Sequence, residues 1–141
     1  QWYYSGKKKK HTLKTQLVVE KKNKKIICTN HCRGKTHDFK LFQRSKLKIR
    51  KKSILELDLG YRGVEKMHEN VRIPKKKSKY HPLTKKDKKR NFKISRSRVI
   101  VEHVIRRIKI FRIMAERYRN RRKRHSLRMK LICGIYNFGI K

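Results

Sequence analysis

Acidic residues are scarce in this chain. Only 9 Asp and Glu stand against 46 Lys and Arg among 141 residues, a formal net charge of +37. Long apolar runs are missing as well: no stretch approaches the roughly 20 apolar residues needed to cross a bilayer. The basic start is not followed by an apolar stretch, so it does not read as a signal peptide. Hydrophobic residues make up 35%, below the roughly 45–50% usual in globular domains. That deficit points to a heavily solvated domain or an incomplete one. Cysteine is limited to Cys28, Cys32 and Cys133. An odd count without a secretory signal argues against a disulfide framework and favours a reducing, intracellular setting.

What is abundant is positive charge. A body with this field repels itself and attracts polyanions. Nucleic acid is the natural partner, bound through counterion release and weakened by salt; a membrane surface is the weaker candidate. Lysines sit in runs such as Lys7 to Lys10 and Lys75 to Lys77. AT-rich coding also produces such runs, so the sign of the charge carries the argument and its size carries less. The length corresponds to about one domain of the usual 100–200 residues. The chain opens at Gln1 rather than a methionine, and the expectation is a piece of something longer.

Residues His11 to Glu20 mix Leu13, Leu17, Val18 and Val19 with Thr12 and Thr15, a strand-like composition. Ile26 to Thr29 is a second apolar run, and the two predict a hairpin with a charged turn. After Gly34 the pattern becomes helical, capped by Thr36 or Asp38, with Phe39 and Phe42 as its buried stripe. From Ser53 to Leu59, three leucines alternate with Glu56 and Asp58, which predicts a strand with leucines on one face and carboxylates on the other. Gly60 and Gly63 then turn the chain. Val71 to Ile73 is a short extended run ended by Pro74, and Lys75 to Arg90 reads as a solvated connector. A long helix follows, capped by Ser95, with Val101, Val104, Ile105, Ile108 and Phe111 toward a core. The cationic stretch Arg117 to Arg128 leads to a terminal helix with Leu131, Ile132, Ile135 and Phe138 as its apolar residues.

With so few acids, their positions are informative. Asp58 closes a strand just before a glycine turn. Glu102 lies on the long helix, and Arg98, Glu102 and Lys109 return to nearly one face. On spacing alone, such a stripe is also what a surface salt-bridge row looks like. Cys28, His31, Cys32 and His37 carry zinc-ligand chemistry, but their spacing fits no standard pattern. They read as incidental strand and turn residues.

The stretch Arg98-x3-Glu102-x6-Lys109 resembles the R-x3-E-x6-K signature of DDE insertion-sequence transposases, with Ser95 where that signature usually has tyrosine. Four more stretches resemble the Harbinger-like small endonuclease branch of the same superfamily. They are the segment from Tyr3 to Lys14, Gly34-Lys35-Thr36-His37-Asp38, Asp58-Leu59-Gly60-Tyr61-Arg62-Gly63, and Val99 to Ile105. All occur in order over nearly the whole chain.

The resemblance implies an α/β, ribonuclease H-like catalytic core across residues 1–141. It is expected to be truncated at the N-terminus, without the first central strand and the first catalytic aspartate. It also implies transposase-type DNA cleavage and strand transfer by two-metal phosphoryl transfer. Asp58 and Glu102 match the second and third metal-binding carboxylates, served by Mg²⁺ or Mn²⁺ when the missing aspartate is supplied. Lys109 and Arg98 are expected DNA contacts, as are Lys8, Lys9 and Lys10; Arg98 also stands where it can pair with Glu102. Asp38 and Glu56 are the possible stand-ins for the first aspartate, with Asp38 better explained as a helix cap. The implied partner is the double-stranded DNA of transposon ends, with an upstream companion polypeptide or self-association restoring the strand. The implied setting is the bacterial cytoplasm and nucleoid. On its own the chain is expected to be an inactive fragment, because unpaired inner edges cost roughly 1–3 kcal/mol per buried group. A non-enzymatic ribosomal or chromatin-type binder is the alternative; it accounts for the charge but gives Asp58 and Glu102 no reason for their places.

Overall fold

The computed structural model describes residues 3–6, 9–80, 82–116, 118–119 and 122–140. Helix and strand are mixed along the chain, as expected. The chain divides into two compact units, residues 1–35 with 100–141, and residues 36–99. Among the described residues the strands form three two-stranded ladders.

In the first unit, β1 (Tyr4–Ser5) and β2 (Lys10–His11) pair antiparallel, with Tyr4 opposite His11. The expected hairpin is present as β3 (Leu13–Val19) and β4 (Ile26–Arg33), and the Glu20 N–H donates to the Lys25 carbonyl at 2.8 Å across the charged turn. β4 runs beyond the apolar run Ile26 to Thr29. Ladder hydrogen bonds are made by backbone, so polar Asn30 and His31 extend the strand as well as apolar residues do. Gly34 closes against this hairpin: its N–H donates to the Thr12 carbonyl at 2.9 Å, and that oxygen also lies 2.9 Å from where a Cβ would stand. A side chain has no room there.

Leu17 and Val19 share one face by period-two alternation and border the core of this unit. That core contains Ile26, Val104, Ile108, Met129, Ile132 and Cys133. Val104 and Ile108 come from α2 (Lys85–Ile108), and the last three from α4 (His125–Phe138). One expectation is corrected here. Phe111 lies in the bend after α2 and is 37% exposed, because the helix has already ended. On α4, Leu131, Ile135 and Phe138 are exposed at 64%, 50% and 93%, and the buried side is Met129, Ile132 and Cys133. That helix is apolar over much of its circumference, so periodicity alone does not choose the buried side. α3 (Arg112–Ala115) is a single turn between α2 and α4.

In the second unit, α1 (Asp38–Ser45) starts after His37, whose Nδ1 accepts the Phe39 N–H at 3.3 Å. The cap is therefore His37, not Thr36 or Asp38. Leu41 and Phe42 are its buried residues, and Phe39 is only half-buried. The expected strand from Ser53 to Leu59 is reduced to β5 (Leu55–Glu56), which pairs in parallel with β6 (Val71–Arg72). The Leu57 N–H still reaches the Arg72 carbonyl at 3.0 Å, but Leu59 has turned into a 3-10 helix, Leu59–Tyr61, and is 37% exposed. The three leucines do not share a face.

α2 begins at Lys85, well ahead of Ser95, which lies inside the helix. Thr84 and Asp87 form a reciprocal cap. The Asp87 N–H donates to Thr84 Oγ1 at 3.1 Å, and Asp87 Oδ2 accepts the Thr84 N–H at 3.2 Å. Lysine and arginine are good helix formers. Of the cationic run read as a connector, Lys85 to Arg90 is thus the first part of the helix, while residues 75–80 precede it as coil and bend.

Candidate metal and DNA-contact site

The shortness of β5 determines how Asp58 is presented. Its backbone is extended, at φ −81° and ψ 165°, and its Oδ1 accepts the Leu59 N–H at 2.7 Å, capping the 3-10 helix. The carboxylate stays near the surface, with its side chain 54% exposed. The turn beyond it depends on glycine. Gly63 has φ 106°, and a Cβ there would come within 3.0 Å of the Phe39 ring. Gly60 packs against the Asp38 carboxylate. Tyr61 meets Phe42 edge-on at 6.3 Å between ring centroids, which pins the turn to α1.

Arg98, expected beside Glu102, has its ion pair with Asp58 instead, Nη1 lying 3.2 Å from Oδ1. One residue earlier on α2, the Ser97 hydroxyl donates to Glu56. Glu56 also faces the Arg72 guanidinium at 3.5 Å, and its side chain is only 19% exposed. Glu56 is thus tied to α2 and β6. Asp38 sits in the first turn of α1, where the helix dipole favours a negative charge.

Glu102 and Lys109 belong to the first unit. Both are exposed and, with Ile105 and Arg106, they line one shallow depression on the surface. The Lys109 N–H bonds the Ile105 carbonyl at 3.0 Å, which carries the helical path one residue past α2 and returns Lys109 to the side of Glu102. Lys9 and Lys10 are exposed beside and within β2. Lys8 lies outside the described residues.

The zinc-type residues go separate ways. His37 caps α1, while His31 Nδ1 lies 3.2 Å from Thr15 Oγ1 and its ring packs edge-on against His125 at 5.0 Å. Among the described residues no group of three or more His, Cys, Asp or Glu side chains is gathered to hold a metal ion. Nor is any helix among them long and apolar enough to cross a membrane.

Arg33 carried no expectation from the sequence, and Arg122 stood only within the cationic stretch Arg117 to Arg128. The guanidinium carbons of Arg33 and Arg122 lie 5.5 and 4.3 Å from the centre of the Tyr3 ring. Cation–π contact holds both in place. No local signal announces it, since the three come from distant parts of the chain.

Comparison with known proteins adds the following. The family described as DDE superfamily endonuclease matches residues 1–137. A probable transposase for insertion sequence element IS702 from Microchaete diplosiphon is 46% identical over 136 residues, covering 96% of this chain and 49% of that relative. The chain therefore spans about half the length of that curated relative. No solved structure matches it.

Proposed function

This chain belongs to the DDE superfamily of endonucleases, and on that premise we propose that it is part of a transposase catalytic core that cuts and joins DNA. The observation that carries the reading is the family match, whose bounds, residues 1–137, enclose both Asp58 and Glu102. Endonucleases of this superfamily generally use divalent metals. The donor chemistry here fits such ions: Asp58 and Glu102 offer exposed carboxylate oxygens, hard ligands suited to Mg²⁺ or Mn²⁺. When bound, a pair of such ions activates the attacking oxygen and stabilises the leaving one.

The remaining work falls to the chain's own side chains within a ribonuclease H-like arrangement. Asp58 and Glu102 bind and orient the cations, and Lys109 neutralises a phosphate of the transposon end next to Glu102. Lys9 and Lys10 add sequence-independent attraction to the backbone, which sets register without reading bases. A third carboxylate, which a two-metal site calls for, we assign to protein outside these 141 residues, from an upstream segment, a companion polypeptide or a second copy. The setting that follows is the bacterial cytoplasm. A ribosomal or chromatin-type role is not favoured, since it explains the charge and leaves the family match unexplained.

Mn²⁺ binding to the chain, followed by electron paramagnetic resonance of the free ion, tests the assignment. Asp58→Ala and Glu102→Ala are expected to weaken Mn²⁺ binding, and Glu102→Ala to leave DNA affinity and its steep salt dependence nearly unchanged. Parent-like Mn²⁺ binding in both variants overturns it.

A further inference from the structure

We infer that Arg98 is the resident counter-cation of Asp58, displaced when a divalent ion binds and thereby released to a DNA phosphate. The inference rests on the metal role proposed for Asp58. Its basis is the ion pair itself. Arg98 Nη1 and the Leu59 N–H both reach Oδ1 of Asp58, at 3.2 and 2.7 Å, on a carboxylate whose side chain is 54% exposed. A monovalent guanidinium thus stands against one oxygen of the carboxylate proposed to take a divalent ion, and its charge opposes the ion's approach.

The pair is built to be broken. It lies at the surface, with the Arg98 side chain 32% exposed, and exposed ion pairs contribute little to stability. The helix does not depend on it for its place. Ser97 holds Glu56 of β5, and Asn91 exchanges two 2.9 Å hydrogen bonds with the Lys75 backbone. Lys75 Nζ in turn bonds Asp87 at 2.9 Å. When the Arg98 guanidinium lets go, α2 stays anchored in this unit, and a fork of N–H donors matched to phosphate is left without its carboxylate.

Linkage makes the consequence reciprocal: metal raises DNA affinity through Arg98, and DNA raises metal affinity by drawing Arg98 away. Without DNA, Arg98 competes with the ion. Arg98→Ala is therefore expected to bind Mn²⁺ roughly 2–5-fold tighter than the parent chain in DNA-free solution at fixed ionic strength. Arg98→Lys, which keeps the charge, is expected to remain near the parent. Mn²⁺ is expected to tighten the parent's binding to a short duplex, and this increment is expected to vanish in Arg98→Ala.

Asp58→Ala run alongside separates the two ideas. If Asp58→Ala loses Mn²⁺ binding while Arg98→Ala binds it no better than the parent, the counter-cation role is wrong and the metal role of Asp58 stands. If Asp58→Ala binds Mn²⁺ as the parent does, the metal role of Asp58 fails and the inference goes with it. Damage to the fold lowers metal affinity rather than raising it, and circular dichroism of each variant identifies such damage. Arg98→Gln then replaces an Arg98→Ala chain that does not fold, with the same gain in Mn²⁺ affinity expected and its absence overturning the proposal.

Discussion

Asn137 serves Ile26 as a neighbouring strand would. Its Oδ1 accepts the Ile26 N–H at 2.8 Å, and its Nδ2 donates to the Ile26 carbonyl at 2.8 Å. The last helix is thereby joined to the first residue of β4 by a two-point side-chain contact beside a buried residue. A donor and an acceptor at that position are both satisfied by one amide.

Replacing Asn137 with alanine leaves both Ile26 backbone groups without that partner, a loss of about 1–3 kcal/mol. Asn137→Asp keeps the acceptor and removes the donor, so an intermediate loss is expected. Urea unfolding of the three chains checks the order. Equal midpoints for alanine and parent would show that water replaces the amide fully.

His31 makes stability depend on pH on the mildly acidic side. Burial, then the neighbouring His125 and Lys130, lowers its pKa from 6.5 to about 4. Its Nε2 and the Nδ1 of His125 are buried without a hydrogen-bond partner among the described residues. Thr15 faces its other nitrogen, and burial also lowers the pKa of His125. Between those limits the unfolded chain binds more protons than the folded one, so stability falls as pH drops from 6.5 toward 4. The urea midpoint of the parent is expected to decline across that window, and His31→Gln to flatten part of the decline. An unchanged slope in the variant removes His31 as the cause.

Thr84 sets the start of α2. Thr84→Ala removes the acceptor for the Asp87 N–H and is expected to cost about 1 kcal/mol of stability. Asp87 adds a pH signature: its hydrogen bonds from Lys75 and Thr84 hold its pKa below the ordinary 3.8. A depressed carboxylate stabilises the fold above the unfolded value and loses that contribution as pH falls through the folded one. The Thr84→Ala penalty is therefore expected to shrink below pH 3.8, as measured by thermal unfolding. A penalty independent of pH would mean that the two halves of the cap are not coupled.

Element order was readable because it rests on local rules. The strand-like mixture of leucine, valine and threonine from His11 to Glu20 and the charged turn before Ile26 point to a hairpin from local sequence alone. Val104 and Ile108 lie one turn apart and face inward, as their spacing requires. The start of α2 was legible too, in Thr84-Lys85-Lys86-Asp87, but a dense run of lysines concealed it. High charge signals solvation, and a solvated segment can still be helical.

Sequence alone determined the order of elements, the field of positive charge and the positions of Asp58, Glu102 and Lys109 along the chain, since periodicity and turn chemistry act over a few residues. Tertiary structure decided that His37 caps α1, that Met129 and Cys133 rather than Leu131 and Phe138 face the core, and that Arg98 meets Asp58. The cap is a contact over two residues that competing local cappers left open, while the other two choices depend on what segments distant in sequence bring near. A guanidinium takes the carboxylate that folding sets within reach, and helical spacing alone cannot specify a partner 40 residues away.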